Sequence, residues 1–120
     1  MPRFTLSRRA LGATGLAVLA RPAFAQPAPI RIGELNSYSR MAAFAVPYRN
    51  AMQLAVEQVN AAGGIKGRPL EIVFRDDGST PGDAVRVAEE LLTRENVSFI
   101  AGTFLSNVGL AVANGLTEIG

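Results

Sequence analysis

The sequence predicts an α/β fold, a parallel sheet covered by helices in a three-layer arrangement. Three observations carry this reading. Short apolar segments alternate three times with longer segments of helical periodicity, giving three strand-helix units. The third strand segment, Val97 to Ala101, is apolar apart from Ser98, as expected where both faces of a sheet are covered. Glycine, proline and aspartate punctuate the joins, for example Gly63-Gly64, Gly67-Arg68-Pro69 and Asp76-Asp77-Gly78.

The first strand is read as Ile30 to Leu35, after an extended Gln26-Pro27-Ala28-Pro29 lead. A long loop, Asn36 to Val46, should follow, and a helix from about Pro47, where a proline loses no helical amide bond. Its apolar stripe is Tyr48, Met52, Ala55, Val56, Val59 and Ala62, with Arg49, Gln53, Glu57 and Asn60 facing out. Tyr48 is thereby assigned to the core. Gly63-Gly64 closes the helix in the left-handed conformation that a Cβ disfavours.

The second strand spans Leu70 to Arg75. Thr80-Pro81-Gly82-Asp83 then reads as a capping box: Thr80 caps, Pro81 takes the first helical position and Asp83 the third. The second helix buries Ala84, Val87, Ala88, Leu91 and Leu92, while Arg86–Glu90 and Glu90–Arg94 pair at i,i+4 on the solvent side. The third strand, Val97 to Ala101, is apolar apart from Ser98 and is expected at the centre of the sheet. The last helix runs from about Ser106. Crossovers of this kind are right-handed, and ligands of doubly wound sheets sit beyond the carboxyl ends of the strands. Three segments should meet at that edge: 36–46, 76–80 and 102–107.

Charge is unevenly placed. Residues 1–25 hold four arginines and no acid, so the remainder carries eight basic against ten acidic side chains. The high isoelectric point thus gives no support to a nucleic-acid partner. Residues 1–25 themselves have the layout of an export signal: Arg3, Arg8 and Arg9, an apolar run from Ala10 to Ala20, then Ala23-Phe24-Ala25 as a small-x-small cleavage pattern. That run is too short to span a membrane, which takes about 20 residues. Ser7-Arg8-Arg9-Ala10-Leu11 is similar to the twin-arginine signal for folded cargo, with a general secretory signal as the alternative. The mature chain, from near Gln26, is expected to be soluble in the periplasm.

The chain has no Cys, His or Trp. Thiol catalysis and the Ser-His-Asp arrangement therefore lack parts, soft-metal sites lack their usual ligands, and no metal or cofactor is expected. There is no G-x-S-x-G, P-loop or G-x-G-x-x-G, and nothing assembles a nucleophile, a base and an orienting group, so an enzyme is not expected. Asp76-Asp77 reads as turn and cap chemistry ahead of a cation site. At the rim, Ser106 has two readings: an ordinary N-cap for its own helix, or a hydroxyl offered with the free helix amides to an anion such as a carboxylate. The residues alone favour the cap.

Leu54–Asp77 (LAVEQVNAAGGIKGRPLEIVFRDD), Pro81–Leu92 (PGDAVRVAEELL) and Gly102–Asn114 (GTFLSNVGLAVAN) resemble the amino-terminal lobe of periplasmic substrate-binding proteins of ABC importers. More narrowly, the resemblance is to the branched-chain amino-acid (Leu/Ile/Val-binding) family, and it covers residues 29–120. It implies a type I two-lobed protein that closes on a small amino acid or related carboxylate or amide and delivers it to a membrane permease. By position it implies that Ser106 binds the ligand carboxylate, with Asn107, Thr103 and Phe104 in the same segment. Tyr38 and Phe44 are the aromatic candidates of the loop after the first strand. That loop departs from the family's usual Ser-Gly pattern, and Ala51 stands where a glycine is frequent.

The resemblance also implies more strands, hinge segments and a second lobe than residues 26–120 supply. The expectation is therefore a partial amino-terminal lobe, incomplete at three strand-helix units and not competent to close on ligand alone. The alternatives are a periplasmic ligand-sensing domain, which would share the fold, and a non-functional truncated copy.

Overall fold

The computed structural model describes residues 26–118, so the signal assigned to residues 1–25 lies outside the described residues. Six elements follow in strict alternation: β1 (Ile30–Asn36), α1 (Ala42–Ala61), β2 (Leu70–Asp76), α2 (Pro81–Thr93), β3 (Phe99–Gly102) and α3 (Ser106–Thr117). The three strands form one parallel sheet in the order β2-β1-β3. Ile30 to Asn36 pair in register with Leu70 to Asp76, and Ile32 to Leu35 with Phe99 to Gly102.

β1 is therefore the central strand, and β3, expected at the centre, flanks it. Its apolar character serves one face only: Ile100 packs against the core, while Phe99 on the other face stays half exposed. The strand also starts two residues later than its composition suggests, because Val97 turns down into the core and Ser98 is held by its amide on the Arg31 carbonyl, 2.7 Å away.

Alternation along β1 separates the two faces of the sheet. Leu35 joins Val73, Ala84, Val87, Ala88, Leu91, Val97, Val108 and Val112 in the main apolar core, roofed by α2 and α3. Glu34, paired across to Phe74, points to the α1 side. There Asn60 fixes α1 to the start of β2, donating to the Leu70 carbonyl (2.9 Å) and accepting from its amide (2.7 Å). The chain steps from β1 outward to β2, then back past β1 to β3. Two crossovers of the same hand place α1 and α2 on opposite faces, as found.

α1 begins at Ala42, ahead of the expected start near Pro47, which sits inside the helix. A turn over residues 37–41 starts it, and the Met41 carbonyl accepts from the amides of Phe44 and Ala45, 2.9 Å each. Pro47 forfeits one bond, to the exposed carbonyl end at Ala43, where water can replace it. Only Ala45 of this helix is fully buried; Met52, Val56 and Val59 are half-buried. Tyr48 is not in the core but faces outward at the carboxyl edge.

At the far end of α1, Gly64 has φ of +74°, and a Cβ there would stand 2.2 Å from the Arg68 carbonyl oxygen. Thr80 and Pro81 take the cap and first positions of α2 as expected, but the box does not close through the backbone. The Thr80 hydroxyl donates to the Asp83 carboxylate, 2.7 Å away, and makes no cap bond to a helix amide. Arg86 pairs with Glu90 as anticipated (2.9 Å), whereas Arg94 has already left the helix as its C-cap and forms no ion pair among the described residues.

Candidate functional site

Two of the three loops at the carboxyl edge, those after β1 and β2, are tied together by buried polar groups. Glu34, Asn36, Ser37 and Asp77 are all buried. Asn36 donates from Nδ2 to Glu34 Oε1 (3.1 Å) and accepts the Ser37 amide on Oδ1 (2.9 Å). The Ser37 hydroxyl donates to Asp77 Oδ1 (2.8 Å), which also takes the Ser79 amide (2.7 Å), a side-chain turn of the kind its position suggested. The Asp77 amide returns a bond to the Asn36 carbonyl (2.9 Å), so the ends of β1 and β2 are cross-linked twice.

Burial pushes the Glu34 carboxyl above its ordinary range, opposed by hydrogen bonds from Tyr38 and Asn36 and by Arg49, and reinforced by the negative charge of Asp77. Burial and the bond to Glu34 raise the Tyr38 phenol. For Asp76 burial acts upward, but bonds from the Ser39 hydroxyl and the amides of Ser39, Gly78 and Tyr38 outweigh it and lower the group.

Beside this network lies a pocket of about 390 Å³, lined by Asn36, Phe44, Ala45, Tyr48, Gly102, Thr103 and Phe104. It sits between the first turns of α1 and the β3–α3 connection. Phe44 and Phe104 stack across it, with ring centroids 5.4 Å apart and planes inclined by 26°. Gly102 makes the approach of the two segments possible. Its φ is +110°, and a Cβ would stand 1.9 Å from the Leu35 carbonyl oxygen, so no other residue fits without moving the central strand.

Of the six residues singled out from the sequence, Phe44, Thr103 and Phe104 meet in this pocket. Tyr38 does not line it; its ring turns inward, the hydroxyl on Glu34, the edge against Phe74, and Arg49 above. Ser106 and Asn107 lie exposed in the first turn of α3, outside the pocket lining. Ser106 is the first helical residue, one place past its expected cap position. Leu105, with φ −89° and ψ 129°, is the cap, and no side-chain cap bond is made. Gly109 stands one turn on, where a Cβ would come within 2.7 Å of the Thr103 hydroxyl.

Sequence reasoning missed Glu34, Ser37 and Tyr48. The signal for Glu34 was available: an acid sharing a strand face with Ile30 and Ile32 is out of place unless partnered. Among the described residues no cluster of acidic side chains is arranged to hold a metal ion.

The family model for periplasmic binding proteins matches residues 29–120. The chain belongs to that family. Its curated relatives include Leu/Ile/Val-binding protein homolog 7 of Brucella suis, 35% identical over 102 residues, covering 84% of this chain and 25% of the relative. Homolog 3 of Brucella melitensis is 32% identical over 80 residues, 67% of this chain and 22% of the relative. Among solved structures, the branched-chain amino acid transporter substrate binding protein LivJ of Streptococcus pneumoniae, in complex with isoleucine, superposes with a TM-score of 0.69 at 34% identity. That match covers 75% of this chain and 26% of the other. An ABC transporter substrate-binding protein of Sphaerobacter thermophilus gives 0.60 at 32% identity, over 75% of this chain and 24% of that one. This periplasmic binding protein chain thus spans about a quarter of the length of the relatives it matches. The open parallel sheet with helices on both faces is that of the type I fold of these neighbours.

Proposed function

We propose that this chain supplies one wall of a solute-capture cleft serving an ABC importer, which takes up a small amino acid or related carboxylate or amide in the periplasm. The observation that carries this is the pocket at the carboxyl edge of the sheet, built from the β1–α1 and β3–α3 segments. Doubly wound sheets bind ligands at this edge. The first turn of α3 sets free amides and the positive end of a twelve-residue helix beside it. A carboxylate is the natural occupant of such a helix end, and Ser106 and Asn107 add side-chain donors to it. Thr103 offers a further hydroxyl from within the pocket.

Phe44 and Phe104 are still 61% and 42% exposed. Ligand sites bury most of the ligand surface, so tight capture needs a second wall to close over these rings. The membrane permease is the partner that a captured solute would reach. Export through residues 1–25 would bring the mature chain to the periplasm.

The relatives named above are binding proteins by name, which supports a binding role for this site. Calorimetric titration of the full-length gene product with L-isoleucine, L-leucine, L-phenylalanine and their amides tests the reading. Saturable 1:1 binding at micromolar or lower concentration is expected. A folded protein that takes none of these solutes would end it.

A further inference from the structure

We infer that the solute held at this site carries an aromatic ring, which packs on the Phe44–Phe104 pair. The inference rests on the solute-capture reading above and adds the class of side chain the site selects.

Three of the seven lining residues are aromatic: Phe44, Tyr48 and Phe104. Phe44 and Tyr48 stand one helical turn apart on α1, and the fold brings Phe104 to them from the β3–α3 connection. None is used by the core. Phe44 is 61%, Phe104 42% and Tyr48 39% exposed, while the apolar core beneath is aliphatic, made of Leu, Val, Ile and Ala. Apolar rings left in water at one spot mark a surface that gains by being covered.

The shape of that surface decides what covers it. With planes inclined by only 26° and centroids 5.4 Å apart, the two phenyl rings stack on each other, and the half-exposed pair offers a flat outer face. A flat ligand ring can lie on it, or meet it edge-on, with a gain beyond the area buried. A branched aliphatic group is tetrahedral and touches such a face through fewer atoms.

This wall offers no partner to an ionised side chain. Among the described residues, no Lys, Arg, Asp or Glu lines the pocket. The nearby Arg49 guanidinium is already stacked, 4.9 Å from the Phe74 centroid and 5.8 Å from that of Tyr38. Glu34 is buried and bonded to Tyr38 and Asn36. An ionised ligand side chain would therefore lose water against this wall without gaining a partner from it. The hydroxyls of Tyr48 and Thr103 can meet a polar substituent on the ring or the main-chain part of the solute.

The test uses matched probes on the full-length gene product by titration calorimetry: L-phenylalanine against L-leucine, and phenylacetate against 3-methylbutanoate. The aromatic member of at least one pair should bind about tenfold tighter. Phe44→Leu and Phe104→Leu should each shrink that ratio several-fold, and both side chains are exposed enough for the fold to survive, which circular dichroism on heating verifies. Tighter binding of the aliphatic members, or a ratio unmoved by both substitutions, overturns the aromatic assignment and leaves solute capture standing. Binding of none of the four probes, nor of the amino acids and amides above, overturns solute capture and this assignment together.

Discussion

The phenolic hydroxyl of Tyr38 donates a hydrogen bond to the carboxylate of Glu34, a side chain wholly buried on the central strand. The two residues are four apart, and the bond folds the start of the β1–α1 connection back over the strand it leaves. Phe74 meets Tyr38 edge-on at 6.4 Å, and Arg49 of α1 lies over both rings. This cluster explains how α1 rests on the sheet with only Ala45 fully buried. A polar and aromatic seat replaces an apolar stripe, and it stands immediately behind the pocket lined by Phe44 and Tyr48.

Replacing Tyr38 by Phe keeps the ring contacts and removes the donor. One oxygen of Glu34 is then buried without its partner, at a cost of about 1–3 kcal/mol. Urea denaturation should show this loss, and the titration partner of the site should bind more weakly because the α1 wall is no longer held. An unchanged midpoint would mean that the hydroxyl is not what seats the loop.

The same carboxylate sets a pH dependence with a defined sign. Folding raises Glu34 above its ordinary 4.5, so the folded state binds the proton more tightly than the unfolded chain. Stability from this group is greatest below 4.5 and falls as pH rises from there through the folded value. The groups facing it are Tyr38 and Asn36 on its own segment, Arg49 and Tyr48 from α1, and Asp77 from the β2–α2 turn. Asp76, lowered in the fold, contributes the opposite slope: its stability is present above 3.8 and is lost as pH falls below it. Glu34→Gln isolates the first effect. Its amide adds a fixed offset beside Asn36 Nδ2, but between about pH 4 and pH 7 it should gain stability relative to the parent. Parallel pH profiles for the two proteins would refute the assignment.

Asp77 bridges the ends of β1 and β2 through one oxygen, Oδ1, while Oδ2 is buried without a hydrogen-bond partner. Asp77→Ala strands the Ser37 hydroxyl and the Ser79 amide and should cost about 1–3 kcal/mol for each. Asp77→Asn can keep the accepting oxygen and puts an amide where the unpartnered oxygen was, so its cost should be under about 1 kcal/mol. Chemical denaturation of the two variants checks the order. Equal losses would show that the bridge is not carried by Oδ1.

Elements with a local signal were legible in the sequence. Gly63-Gly64 marks the end of α1, the 84-87-88-91 stripe is the buried face of α2, and the alternation of strands and helices gives a parallel sheet. What escaped depends on distant partners. Whether β3 is central or flanking is decided by which strand pairs with it, and a five-residue run that is apolar apart from Ser98 does not record that. Pro47 argues for a helix start, yet the turn over 37–41 and the Met41 carbonyl place the start five residues earlier. Glu34 is the exception: its partners Asn36 and Tyr38 lie two and four residues on, and its place on the strand face of Ile30 and Ile32 already set it apart. At the site, Phe44, Thr103 and Phe104 were legible as rim residues, but the stacking of the two rings across some sixty residues of chain was not.

Ser106 separates two roles that sequence alone left entangled. As the first residue of α3, with Leu105 in the cap position and no cap bond of its own, it contributes little to holding the helix. Ser106→Ala should therefore change stability by less than about 0.5 kcal/mol, the range of an exposed substitution away from a cap. If the free end of α3 receives a ligand carboxylate, the same change removes one donor to a charged group and should weaken solute binding about tenfold or more. Titration and urea denaturation on one preparation measure both numbers. Loss of stability with affinity intact would return Ser106 to a capping role, and loss of affinity alone would fix it as a ligand contact.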